Sequence, residues 1–347
     1  MPTPNDAIEP ASRPLAPASA ASFAEIDAPS PPARRRPVSS VAFALERTLP
    51  GRNHCYDAPM AETLALTEVA RLDVAAASGL VRMDGRLYVV ADDELDLCVF
   101  DDAGRLVERL PLFDGALADE HHARKASKPD LEALALLRPG LLLAVPSGST
   151  AARCRGAAVR GPTVAAVDFA PLYGALAREL DDLNIEAAAA AGDRLTLLQR
   201  GNGAAGHNAV ITLDREAVCA AIAAGAPLSP SLLRGISTVR LGLLDGARLG
   251  FTDASPLPDG RLLFTAAAEA GGSTYEDGAA LGSVVGLLDG DVVCGQVRLA
   301  TRDKVEGLHA DADGDLLTLH LVTDADDRAR SATLYRATLS YARLLGA

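Results

Sequence analysis

The 347-residue chain has no tryptophan, and aromatics make up only 4% of it. Its five cysteines, Cys55, Cys98, Cys154, Cys219 and Cys294, stand singly, without a C-x-x-C pair. That spacing argues against a zinc site and a disulfide framework and fits a reducing compartment. Basic residues are in deficit, 33 Lys and Arg against 46 Asp and Glu, for a net charge of −13. Nucleic-acid binding through a basic surface is therefore disfavoured. An acidic chain of this kind suits a soluble protein, or one that holds a cation. No apolar run is long enough to span a bilayer. The N-terminus also lacks the charged-then-apolar order of a secretory signal. The expected setting is the cytoplasm, with export by another route left open. The expected partner is a small molecule, with no membrane and no nucleic acid, and the expected state is a monomer.

What the chain does have is Ala, Leu and a hydrophobic fraction of 49%, enough for a large core. Residues 1–60 differ from the rest. They are rich in Pro, Ala and Ser, carry Arg34, Arg35 and Arg36, and read as a disordered extension. Residues 61–347 read as one domain of short strands and turns.

A pattern recurs five times within that domain. A small or acidic residue is followed, six to eight positions later, by a Gly-containing turn and an apolar strand. The copies are SGLVRMDGRLYVV from Ser78, EALALLRPGLLLAV from Glu132, EAAAAAGDRLTLL from Glu186, DASPLPDGRLLF from Asp253 and EGLHADADGDLLTL from Glu306. Their lead residues are 54, 54, 67 and 53 apart. A period in this range signals a repeat architecture. Each unit reads as a four-stranded propeller blade, and the lack of Trp argues against the WD type. The expected fold is all-β: a β-propeller of five four-stranded blades, or six if residues 38–77 fold more fully. The fifth unit lacks an outer strand, while ALTEVARLDV, from Ala65, has no blade of its own. Pairing the two would close the ring and remove open edges. PLYGALARELDDL and EAVCAAIAAG read as two short helical insertions.

The turns between first and second strands are short, so the long connections gather on the opposite face, where function usually sits. The lead carboxylates Glu132, Glu186, Asp253 and Glu306 are expected to converge there. Converging carboxylates raise one another's pKa unless a cation sits among them. The expected cofactor is calcium or another divalent metal held by these four acids. In the competing reading Lys304, Lys128 and Arg200 neutralise them in a water-filled channel. The loop DEHHARKASKPDLE brings His121 and His122 close to three basic residues. His121, His122 and Lys304 are the candidate catalytic groups. Lys128, Arg200, Asn202, Glu269 and Tyr275 are the candidate substrate-binding groups, from this loop, from QRGNGAAGHNAV and from AEAGGSTYEDG. Ser147 and Ser149 in PSGST lack the G-x-S-x-G context of a nucleophile elbow.

The blade openings S-G-L, L-E-A-L, I-E-A-A, T-D-A-S and V-E-G-L resemble those of bacterial propellers that include the "esterase-like activity of phytase" domains. Ser78, Gly79, Glu132, Glu186, Asp253, Glu306 and Gly307 carry this likeness. With KPDLEAL, PSGST, LNIE, QRGNG and GFTDASPLPDGRLLF, the chain is more similar still to an uncharacterised bacterial family over about residues 64–340. The resemblance implies a propeller and a hydrolase or a binding protein. The function expected is a metal-dependent hydrolase of the esterase, lactonase or phosphoester class. The alternative is a non-catalytic propeller that binds a small molecule or a protein through the same face.

Overall fold

The computed structural model describes residues 63–201, 207–270 and 280–345, apart from the side chains of His121, His122 and Ala126. Two short strands come first, β1 (Thr63–Leu64) and β2 (Thr67–Arg71). The first blade is β3 (Ala77–Met83), β4 (Arg86–Ala91), β5 (Asp96–Asp101) and β6 (Leu106–Pro111). Helix α1 (His121–Ser127) leads to the second, β7 (Leu131–Arg138), β8 (Leu141–Pro146), β9 (Arg155–Arg160) and β10 (Thr163–Asp168). After α2 (Ala170–Leu176) the third blade is β11 (Ile185–Ala191), β12 (Arg194–Gln199), β13 (Asn208–Asp214) and β14 (Leu233–Val239), with α3 (Arg215–Ala223) between its last two strands. The fourth is β16 (Ala247–Pro256), β17 (Leu262–Glu269), β18 (Ala280–Asp289) and β19 (Val292–Leu299), with β15 (Leu243–Leu244) forming a small hairpin against β16. The fifth is β20 (Lys304–Asp313), β21 (Leu316–Asp324) and β22 (Thr333–Ser340), before a final turn of helix, α4 (Tyr341–Leu344).

The propeller has the expected five blades, and β2 pairs antiparallel with β22 as the fourth strand of the last one. A strand from before the first blade thus closes the ring. One feature was not foreseen: β1 adds a parallel strand to the outer edge of the fourth blade. Helices α2 and α3 occupy the positions read as insertions, whereas α1 lies in a stretch read as a loop.

Five separate apolar clusters fill the five clefts between neighbouring blades. The largest lies between the second and third blades, where α2 and α3 add Leu172, Tyr173, Leu176, Val218, Cys219 and Ile222. The Ala-rich inner strands suit this layout, because five strands converging on one axis leave little room for large side chains. Gly79 shows the limit: a Cβ there would lie 2.6 Å from the Leu134 backbone nitrogen of the next blade. The hairpins at the opposite face are tight. Asp84 and Gly85, with φ of 52° and 68°, form the two-residue turn between β3 and β4, as the Asp-Gly pair predicts.

The recurring motif has a structural identity. In every inner strand the pairing register slips by one residue at the start of the repeat, between Ala77 and Gly79, Leu131 and Ala133, Ile185 and Ala187, Phe251 and Asp253, and Val305 and Gly307. The bulged residues are Ser78, Glu132, Glu186, Thr252 and Glu306. Thr252 therefore takes the place assigned to Asp253 from the sequence. The corrected spacings are 54, 54, 66 and 54, more regular than those first read. A bulge leaves its extra residue outside the ladder and re-aims its side chain.

Candidate functional site

The inner strands bring Glu132, Glu186, Lys304 and Glu306 to the long-loop end of the channel, where, with Lys128, Arg200 and Glu269 from neighbouring segments, they form two ion-pair networks. The first is built around Asp130, which precedes β7 with a left-handed φ of 58°. Its carboxylate accepts from Ser147 Oγ at 2.5 Å and from Arg153 Nη1 at 2.9 Å, and lies 2.9 Å from Lys128 Nζ. Lys128 also pairs with Asp92, which follows β4. Burial works against charge on both sides of this cluster. The cations outweigh it at Asp130 and hold that carboxyl below the usual range. At Asp92 burial wins, and the pKa rises to about 6. Burial also opposes the charge on Lys128, yet Asp92, Asp130 and Glu132 hold its pKa above the ordinary lysine value.

Glu132 completes this group. One oxygen each of Asp92, Asp130 and Glu132 lies within 4.8 Å of the other two. Asp92 and Asp130 are engaged by Lys128 and Arg153, while Glu132 is part-buried beside them. Burial, then the charges of Asp130, Glu186 and Asp92, push the Glu132 carboxyl well above the usual range.

The second network is centred on Arg200 and Lys304. Arg200 Nη2 donates to Glu269 Oε1 at 2.6 Å, and its Nη1 lies 3.5 Å from both Glu186 Oε2 and Glu306 Oε1. Lys304 Nζ lies 2.8 Å from Glu306 Oε1 and 3.2 Å from Glu269 Oε1. Asn184 Nδ2 donates to Glu186 Oε1 at 2.5 Å. The guanidinium reaches this point across the fourth blade because residue 250 is glycine: a Cβ there would sit 2.8 Å from Arg200 Cγ. Burial raises the Glu186 pKa to about 8 against the pull of Arg200. Glu269 is held below the usual range, since Arg200 and Lys304 outweigh its burial. Asp324, at the end of β21, is buried beside Glu306 and pushed well above the carboxylate range.

Thus Glu132, Glu186 and Glu306 come to one mouth with Lys128, Arg200, Glu269 and Lys304. Asp253 does not join them. Fully buried in the channel, its carboxylate accepts from Leu308 N of the fifth blade at 2.7 Å and from its neighbour Ala254 N at 2.8 Å. It also takes a bond from Leu80 N of the first blade. It is an internal strut between blades. Its register explains this: it follows the bulge and so faces the neighbouring backbone. His121 and His122 open helix α1, but their side chains, like Asn202 and Tyr275, lie outside the described residues.

The mouth also joins Arg200, an expected site residue, with Asp92, Ser147 and Asp324, which the repeat reading did not place there. Asp92, Ser147, Arg200 and Asp324 occupy matching places at the ends of the second strands, one step beyond the partner of each residue before the bulge. Below the acids the channel is lined by Leu80, Leu134, Ala188, Ala254 and Leu308, so the polar mouth has an apolar floor.

No helix among the described residues is long and apolar enough to cross a membrane. No curated protein matches the chain. Solved structures match it at low identity. A catalytically inactive virginiamycin B lyase from Staphylococcus aureus, crystallised with quinupristin, is 10% identical, with a TM-score of 0.34 over 76% of this chain and 67% of that one. The PQQ-bound aldose sugar dehydrogenase from Streptomyces coelicolor is 12% identical, with a TM-score of 0.43 over 79% of this chain and 98% of that one. The model of one protein family covers residues 73–339, most of the propeller, and the chain accordingly belongs to the family of unknown function DUF6929.

Proposed function

We propose that the mouth is the active site of a hydrolase acting on an ester, lactone or phosphoester. The observation that carries this reading is Glu132, a carboxylic acid at a polar mouth, beside Asp92 and Asp130. Such an acid can protonate a leaving oxygen and, once ionised, take a proton from water. Glu186, with its pKa near 8, is a second proton reservoir behind it. Arg200 and Lys304 fix Glu186, Glu269 and Glu306 in place and leave Glu132 as the group facing a ligand. The blade openings that resemble phytase-like propellers support the hydrolase class.

The oxygens of Asp92, Asp130 and Glu132 are close enough together to share one hard cation, with calcium the first choice for an all-carboxylate set. These three residues would hold it, in competition with the Lys128 ammonium. When bound, such an ion polarises a carbonyl or phosphoryl oxygen and acidifies water. The same Lys128 contacts favour the second reading, in which the mouth is internally neutralised and binds a small molecule without turnover. In both readings the chain acts as a cytoplasmic monomer.

The test combines metal analysis of tag-free protein, calcium titration by calorimetry in buffers of different protonation enthalpy, and a panel of ester, lactone and phosphoester substrates. Calcium binding with proton release and turnover, both lost in Glu132→Gln, is the expected result. Turnover that is independent of calcium but lost in Glu132→Gln would retain the acid and remove the cation. No turnover, with ligand binding intact, would establish the second reading.

A further inference from the structure

The opposite end of the channel holds a second cluster of ionisable groups that the mouth does not use. His309 on β20 and His320 on β21 are direct cross-strand partners, and Asp311 lies two residues beyond His309 on the same face. His309 Nε2 is 3.5 Å from Asp311 Oδ1, and His320 Nδ1 is 3.8 Å from Asp311 Oδ2. His320 is only 3% exposed, and its Nδ1 is buried with no hydrogen-bond partner. A buried imidazole nitrogen without a partner is costly, and a native fold rarely leaves one without a reason. The His320 separation is too long for a hydrogen bond, while His309 hydrogen-bonds Asp311 and helps hold that carboxyl below its usual range. Donors around a tetrahedral ion stand about 3.4 Å apart for metal–ligand bonds of about 2.1 Å, so the three side chains must draw closer to share one: among the described residues, only Asp92, Asp130 and Glu132 already bring one donor each within 4.8 Å of the other two.

We propose that His309, His320 and Asp311 form a binding site for a divalent transition metal, with zinc the best match to two imidazoles and one carboxylate. His309 and His320 now face different oxygens of Asp311, so binding requires the part-exposed His309 ring to turn toward its partner. Arg82 of the first blade donates to both oxygens of Asp102 at 2.8 and 2.9 Å, and to Asp311 Oδ2 at 3.2 Å. It keeps the Asp102 pair and releases Asp311 when the ion binds. Arg336, the cross-strand partner of His320, donates to the Asp102 carbonyl oxygen at 3.4 Å and is exposed, so its charge can swing away from the ion. The ion would sit where the last blade meets the first.

The experiment uses the full chain, tag-free and stripped with chelator, titrated with zinc and with cobalt(II). One equivalent of zinc should bind and raise the melting temperature, and cobalt should give the visible spectrum of nitrogen and oxygen ligands. His309→Asn and Asp311→Asn, at part-exposed positions, should each weaken binding at least about tenfold. Asp92→Asn, in the mouth, should leave it unchanged. A cobalt spectrum showing thiolate ligation, binding that survives His309→Asn and Asp311→Asn, or no binding at all would overturn the assignment.

Discussion

Glu186→Gln isolates the electrostatic cost of assembling the mouth. The Glu186 carboxyl starts from 4.5 in the unfolded chain and is raised to about 8 by burial in the folded one. Between those values the folded chain keeps a proton that the unfolded chain has lost. The unfolded state is therefore favoured as pH rises, and stability falls across this window. Each pKa unit corresponds to about 1.4 kcal/mol, which sets a ceiling of about 5 kcal/mol. Arg200 and Glu306 relax around the ionising group, so roughly half of that should be observed. Glutamine keeps the shape and can still accept from Asn184 Nδ2, but it does not titrate. Urea unfolding followed by far-UV circular dichroism at pH 5 and pH 8 would give four free energies. Wild type should lose about 2–3 kcal/mol more than Glu186→Gln between the two pH values. Asp92 and Asp324 are shifted in the same direction in both proteins and cancel in the difference, whereas Glu132 loses the part of its upward shift that the Glu186 charge supplies, which adds to the difference in the same sense. Equal losses in the two proteins would refute the burial argument for Glu186.

Two further predictions concern the neighbouring framework. Asp253→Ala removes the acceptor for Leu308 N, Ala254 N and Leu80 N; at about 1–3 kcal/mol for each buried unsatisfied group, thermal melting should show a loss of at least about 3 kcal/mol, and an unchanged midpoint would show that the strut contributes nothing. Gly250→Ala places a methyl group 2.8 Å from Arg200 Cγ; it should cost about 1–3 kcal/mol in wild type and much less in an Arg200→Ala background, a coupling that a double-mutant cycle reads directly.

The blade count, the closing strand and the face carrying the acids were legible because each has a local signature. Turns announce themselves through Gly and Asp, and a blade lacking a strand pairs with the strand lacking a blade. The register of the fourth blade was harder to read. Asp253 is the acid in T-D-A-S, and chemical likeness to Glu132 and Glu306 drew the alignment one residue past Thr252. A threonine whose Oγ1 donates to the Val305 carbonyl at 2.7 Å looks unlike a glutamate in sequence, yet it occupies the same bulge. Spacing was the better guide, since Thr252 and Glu306 are 54 apart. The second-strand ring of Asp92, Ser147, Arg200 and Asp324 was missed for a similar reason. Its members differ in charge, and only the pairing of adjacent strands places them together. The ion pairs from Arg200 to Glu186, Glu269 and Glu306 join three blades, a proximity that no local pattern encodes.

The five bulges separate two demands that usually compete within one strand. The residues before and after each bulge are paired and packed, so their identities answer to the core. The bulged residue stays outside the ladder: Glu132, Glu186 and Glu306 turn to the charged mouth, while Ser78 and Thr252 donate to the Ala76 and Val305 carbonyls. Within this one chain that position is filled by serine, threonine and three glutamates. The propeller thus behaves as a five-socket ring, in which the contents of each socket can be exchanged without rewiring the blade that holds it. A ligand of different charge could be accommodated by changes at Glu132, Glu186 and Glu306 made together with their partners Lys128, Arg200 and Lys304, with the ladders left as they stand.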